Sequence, residues 1–334
     1  MVSENQFWAD AVDQLDLALD QLFVGERNFD RFSMLLVDNV VELALHRFAR
    51  EKASENRLWS ALGSPKVDPR DLEKALGQSF EQKVKFACKM GLLSQSASES
   101  ILNLHTYRNT AYHRGARHDG ILHSLGVLYL KTACELLSGY EPRGWSWSSG
   151  DSFSHRARKY LGSGAMMRVQ HDSFVTAYKR LREVASALPH NVIHDLHRDM
   201  QKTIDDADGV IQFLADDSPS KMTKDQAVVE CQAWPFATTE EAKKFAASKG
   251  YAVTHVYTFA KWLAGAYPWS ICRDPIPGWR SRLEALKQSK DEHDALKRYC
   301  DFLRQTEDFR SELQEAGAQL DGYIQHQIDV ARGK

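Results

Sequence analysis

The chain has no run of 18 uncharged apolar residues, so a membrane-spanning helix is not expected. Its opening residues, Met1-Val2-Ser3-Glu4-Asn5-Gln6, lack the basic region and apolar run of a secretory leader, and a cytoplasmic protein is expected. Cysteine is sparse. Cys88, Cys134, Cys231, Cys272 and Cys300 are odd in number, scattered and never arranged as Cys-x-x-Cys, which points to reduced thiols rather than disulfides or a zinc knuckle. Gly-x-x-x-x-Gly-Lys-[Ser/Thr], Gly-x-Gly-x-x-Gly and Gly-x-Ser-x-Gly do not occur, leaving nucleotide hydrolysis and serine-hydrolase chemistry without support. Asp205-Asp206-Ala207-Asp208-Gly209 has the middle of a calcium loop, but Ile204 and Ala215 stand where the first and twelfth ligands belong. An excess of positive charge is missing too: with 43 Lys and Arg against 45 Asp and Glu, the net charge of -2 is not that of a chain that coats nucleic acid indiscriminately. Any such contact must be local.

What is present is the composition of a globular protein, 43% hydrophobic and 26% charged, in a chain of 334 residues, long enough for two domains. Periodicity predicts helices almost throughout. Trp8, Val12, Leu15, Leu19 and Leu22 recur at steps of four and three to Gly25. A second helix over 30–50 carries Phe32, Leu36, Val40 and Leu43, with Leu35 and Val41, as a broad apolar face suited to a central place in a bundle. Residues 51–68 form a polar loop broken at Gly63-Ser64-Pro65, and Asp68-Pro69 opens a third helix by cap and first-turn chemistry, running through Leu72, Leu76, Phe80 and Val84 to Gly91. Ser96-x-x-Glu99 has the form of a capping box for a fourth helix, and Asp119 caps a fifth that stops at Gly139.

Residues 141–154, with Glu141-Pro142-Arg143-Gly144-Trp145-Ser146-Trp147, mark a shift in composition and are taken as a linker between domains at 1–140 and 155–334. The alternating Trp145 and Trp147 either pin that linker or stack on bases, and pinning is the commoner use of such residues. Helices follow at 172–188, 190–215, 223–232 and 239–249, with caps at Thr223-x-x-Gln226 and Thr238-x-x-Glu241. The segment 253–266, mixed in propensity, is taken as helix, 267–279 as a structured loop and 280–330 as long amphipathic helices. The fold class is all-α.

Chemistry concentrates in Leu104-His105-Thr106-Tyr107-Arg108-Asn109-Thr110-Ala111-Tyr112-His113-Arg114-Gly115. Arg108 supplies a permanent, planar fork of donors suited to phosphate oxygens, and His113 a group that takes or gives a proton near neutrality. Asn109 and His113, four apart, share a helical face on which the amide can orient the imidazole. Arg108 and His113, five apart, diverge by roughly 140° on an ideal helix, so both meet one phosphate only if the helix loosens or a second copy of the chain contributes. His105, Arg114, Arg117 and His118 add local positive potential; the plain alternative for that cluster is a solvated helix end, where cations are favoured by the dipole.

The spacing Arg108-Asn109-x-x-x-His113 resembles the Arg-x4-6-His motif of HEPN domains, in the form with Asn after the Arg. The helix carrying Asp38-Asn39-Val40-Val41-Glu42-Leu43 fits the acidic residue of that family's apolar second helix. The resemblance covers residues 1–140. It implies a four- to five-helix bundle that forms a homodimer and cleaves RNA without metal or cofactor, often as a toxin or antiviral effector held by an inhibitor or antitoxin protein. Arg108, Asn109 and His113 would be catalytic, Arg114, Arg117 and His118 would bind RNA, and Glu42 would orient the His or the Arg, unless it is a boundary carboxylate facing solvent. Gly115 stands where a different branch has a modified Tyr, so its nucleotidyltransferase partner is not implied.

Two other classes compete. One is a non-catalytic helical module that dimerises or binds a nucleotide through Arg108 and His113. The other is a metal site on His190, His194 and His197, which recur at i, i+4 and i+7 on one face, although no Glu stands beside the first as in a zincin helix. No metal is expected.

Overall fold

Ser3 begins the first helix by accepting a hydrogen bond from the Gln6 amide, and Gly25, at φ 67°, ends it in the left-handed conformation that favours glycine. In the computed structural model this helix, α1 (Glu4–Val24), is followed by α2 (Arg27–Ala61), α3 (Pro69–Leu76), α4 (Phe80–Lys89), α5 (Gln95–His113), α6 (Leu122–Gly139), α7 (His155–Leu161), α8 (His171–Ser186), α9 (Val192–Asp217), α10 (Lys224–Phe236), α11 (Glu240–Ser248), α12 (Val256–Ala266), α13 (Ile276–Lys287) and α14 (Glu292–Ala331). The structure describes residues 3–61, 63–64, 66–113, 120–162, 169–219 and 221–333, with the side chains of 110–113 left out. The protein is all-α, and no strand occurs among the described residues. No described helix is long and apolar enough to cross a membrane.

The chain divides into two compact units, residues 1–196 with 289–297, and residues 197–288 with 298–334. In the first unit α6 is apolar on nearly every side, and its buried residues include Leu125, Leu128, Tyr129, Leu130, Ala133 and Leu137. Such a helix belongs inside. It packs against α2 and α8, while α1 lies along α2. Gly126 makes the close approach possible: a Cβ there would stand 2.9 Å from Leu22 Cδ2. The segment at 141–154 is fastened within this same unit. Trp145 stacks on Phe174 at 5.5 Å and leans on Trp8 while keeping part of its ring exposed, and Trp147 is more exposed still. Helix α7 is tied to α1 through buried Asp16, which accepts from Arg156, Lys159 and Tyr160 at 2.7 to 2.9 Å. Burial raises the Asp16 carboxyl, but those hydrogen bonds outweigh it and hold the group below its ordinary 3.8.

Several helices differ from their sequence patterns for identifiable reasons. Helix α2 runs past Arg50 to Ala61, through the segment expected as a loop, because Arg47–Glu51 and Lys52–Glu55 pair along it and Ala53 and Asn56 are buried. Asn56 then holds the return of the chain, accepting from the Lys66 and Val67 amides. The expected third helix is two, α3 and α4. The chain breaks at Gly77, and Ser79 caps α4 by accepting from Gln82. Ser94, rather than Ser96, accepts from the Ala97 amide at the start of α5, and Thr239, rather than Thr238, caps α11. Asp119 lies outside the described residues.

In the second unit the Thr223–Gln226 capping box is formed in full. The core there is built of small residues, Ala233, Ala237, Ala242, Ala246 and Ala260, wedged against Phe259 and Leu263 and ringed by Trp262, Phe245, Tyr251 and Tyr267. Alanines let the short helices α10, α11 and α12 approach closely, and the aromatic rings fill what remains. The segment 253–266 resolves as helix from Val256, capped by His255. Helix α13 begins within the expected loop because Pro277 is compatible with a first helical turn. The seam on α14 is buried at Phe309, Leu313 and Leu320, then runs out where Tyr323 is exposed.

Candidate active site

Helix α2 buries Val40 and Val41 of the apolar face read from its sequence, but the stripe it turns inward is offset from the one its bulkiest residues mark. Met34, Asp38, Val41, Leu45 and Phe48 follow one another at steps of four and three, and all are buried. Phe32 and Leu43 are instead exposed, and Phe32, Leu35 and Leu36 line an open groove with Leu17 of α1. A carboxylate on a core stripe is costly unless it is paired and hydrogen-bonded. Asp38, with no exposed surface, satisfies both conditions.

Three side chains converge on it. Tyr129 of α6 donates to Asp38 Oδ1 at 2.6 Å, and His105 Nδ1 of α5 meets the same oxygen at 2.8 Å. Arg108, one turn beyond His105, sets Nε 3.2 Å from Oδ2, an ion pair without hydrogen-bond alignment. A carboxylate only accepts, so His105 carries its hydrogen on Nδ1. Its ring lies flat on Phe80, centroids 4.0 Å apart and planes 12° from parallel, which fixes its plane. Burial first, and then the negative charge of Asp38, push the Tyr129 hydroxyl well above its ordinary 10, so it remains a donor at any physiological pH.

Arg108 is therefore held from two directions. Its Nη1 donates to Asn109 Oδ1 at 2.7 Å, while Asp38 restrains Nε, and the side chain keeps 29% of its surface exposed. A cation anchored at its inner edge and open at its outer one is suited to receiving an anion without first losing its own side-chain freedom. Asn109, expected to orient the imidazole of His113, has its amide oxygen engaged by Arg108. Helix α5 extends to His113, whose side chain lies outside the described residues, as do Arg114, Arg117 and His118.

Glu42, one turn after Asp38, points elsewhere. Its carboxylate is 42% exposed and pairs with Lys83 of α4 at 3.4 Å, and Lys83 also donates to the Gln78 carbonyl. Lys83 itself is almost fully buried, so the role of Glu42 there is to balance a buried ammonium. Nearby His46 is held below its ordinary 6.5, by burial first and then by the charges of Lys83 and Arg50.

His190 Nδ1 meets the Leu188 carbonyl at 2.8 Å, with Nε2 3.7 Å from Glu292, and His194 is largely exposed beside Asp195. His197 belongs to the other unit. No group of three or more His, Cys, Asp or Glu is arranged to hold a metal ion among the described residues.

Sequence reasoning missed Asp38 as the partner of Arg108, and with it His105 and Tyr129. The signal was available in the position of Asp38 on the Met34–Val41–Leu45 stripe, where an acid needs an internal partner. Compared with models of protein families, with curated proteins and with solved structures, the chain matches none.

Proposed function

We propose that this protein is an endoribonuclease of the HEPN type, acting without metal through Arg108, Asn109 and His113. The observation that supports it most is the anchoring of Arg108: a guanidinium tied to the buried Asp38 and to Asn109 yet partly open, on the helix that ends at His113.

In the reaction, His113 takes the proton of the ribose 2′-hydroxyl or gives one to the departing 5′-oxygen, a role typically worth about 10²- to 10⁴-fold. The 2′-oxygen attacks the adjacent phosphorus, and Arg108 stabilises the charge that accumulates on the phosphoryl oxygens. The P–O5′ bond breaks, leaving a 2′,3′-cyclic phosphate on one product and a 5′-hydroxyl on the other. Because the nucleophile is internal to RNA, DNA is spared. The divergence of Arg108 and His113 on one helix favours a homodimer in which two copies face one phosphate. Arg114, Arg117 and His118 extend the contact along RNA, and a toxin or antiviral role restrained by an inhibitor protein fits such an activity.

A second reading has its own observation. Nε and Nη1 of Arg108 are both engaged within the unit, which is also how a purely structural network, in a helical module that dimerises or binds a nucleotide, would use it. A short RNA with a single 2′-deoxy substitution separates the two. Loss of cleavage at that linkage alone, with EDTA present, supports the nuclease. No cleavage of the unsubstituted RNA supports the module.

A further inference from the structure

The second unit contains a hollow of about 590 Å³ between α10 and α14, closed at one side by Leu214 of α9 and by Val256. Its volume lies in the roughly 300–1,000 Å³ range of small-molecule sites. Leu214, Ala227 and Leu320 are buried wall residues, and Trp234 presents a half-buried ring with Tyr257 beside it at 5.7 Å. The charged residues on the lining are all acids: Glu230, Glu312 and Glu315.

These acids are not equivalent. Glu230 is neutralised by Lys261 at 2.5 Å, and Glu315 accepts from Gln319 at 3.4 Å. Among the described residues Glu312 has no ion-pair partner, and no Lys or Arg lines the hollow. Burial, and then Asp308, raise its carboxyl above the ordinary 4.5, as fits a half-buried acid short of a cation. The adjoining Cys231 thiol is pushed up to about 12 by burial and by Glu312, so it is an inert wall rather than a nucleophile.

We propose that this hollow binds an organic cation: an amine with an apolar body, its ammonium set between Glu312 and the face of Trp234. The apolar body replaces water along Leu214, Ala227 and Leu320. The ammonium meets both an uncompensated carboxylate and an indole ring, two groups that attract cations. An anion of the same shape is repelled by the carboxylates, and a neutral one leaves Glu312 as it was. The inference is independent of RNA cleavage.

The test is calorimetric titration of the full chain at pH 7.5 with 4-phenylbutylamine, 4-phenylbutanol and 4-phenylbutanoate. The amine is expected to bind at least about ten-fold more tightly than the alcohol, with the carboxylate weakest. In Glu312→Gln, a change of charge without change of shape, the amine loses that advantage while the alcohol is unaffected. Equal binding of amine and alcohol, binding of neither, or an advantage that survives Glu312→Gln overturns the proposal. The comparison of the three ligands on the parent chain can overturn it even if the variant does not fold.

Discussion

The carboxylate of Asp38 lies 3.2 Å from Nε of Arg108, and it joins α2 to the helix that carries the proposed catalytic pair. This contact converts a core helix into a mount for a cation. It also distinguishes Asp38 from Glu42, the acid one turn later on the same helix, which serves Lys83 instead.

Exchange of each acid for its amide should therefore separate activity from stability. Asp38→Asn leaves Arg108 without its counter-charge. It should lower both RNA cleavage and folding stability, the latter toward the lower end of the roughly 3–5 kcal/mol seen when a buried pair is broken, since Arg108 is still partly in water. Glu42→Gln should leave cleavage within about three-fold of the parent while still lowering stability, by about 1–3 kcal/mol, because the buried Lys83 ammonium loses its counter-charge. Urea denaturation and initial cleavage rates read both effects.

Gly126→Ala tests the packing of α6. On a solvated helix the change stabilises by about 1 kcal/mol. Here the new methyl meets Leu22, itself fully buried, at 2.9 Å, and overpacking of that kind costs about 1–3 kcal/mol. A net loss of stability is predicted by chemical denaturation, and a gain would mean that Leu22 moves freely.

Stability should depend on pH through His123, which is paired with Asp30 at 2.9 Å. That hydrogen bond raises the imidazole above its ordinary 6.5, against the lowering by burial. A raised value in the folded state means the contribution is complete below 6.5 and is lost as pH rises through the folded value. His46, lowered in the fold, contributes in the opposite sense, its share being lost as pH falls below 6.5. The difference in unfolding free energy between the parent and His123→Gln isolates the first effect. It should shrink between pH 6 and pH 8, roughly the range over which a raised imidazole titrates; a difference that grows or stays flat would contradict the pairing.

The proposed dimer would have a surface available to it. Phe32 is 57% exposed and Leu43 46%, on the face of α2 turned away from the core, beside the groove lined by Leu17, Leu35 and Leu36. Light scattering should give twice the chain mass for the parent and the chain mass for Phe32→Glu, with unchanged helix content. A parent that is monomeric at all concentrations would remove the composite site.

The sequence carried the helices more clearly than their contacts. Periodicity located α1, α8 and α9 nearly to their ends, and Thr223-x-x-Gln226 capped α10 as its spacing required, because these signals are local. Ser79 was overlooked because the apolar series Leu72, Leu76, Phe80 and Val84 continues across the break as if one helix ran through it. On α2 both faces are apolar, and bulk favoured Phe32 and Leu43. Which face turns inward is decided by α5 and α6, where His105, Arg108 and Tyr129 await the Asp38 carboxylate. That information is spread over three helices distant in sequence. The pinning of Trp145 on Phe174 is non-local in the same way.

The proposed roles of Arg108 and His113 are read out by incubating a mixed RNA pool in EDTA with the parent protein, Arg108→Ala and His113→Ala, and mapping the product ends. Cleavage by the parent alone is expected, with 2′,3′-cyclic phosphate and 5′-hydroxyl ends. Equal cleavage by all three proteins, or products ending in 3′-hydroxyl, would contradict those roles and place any nuclease activity elsewhere.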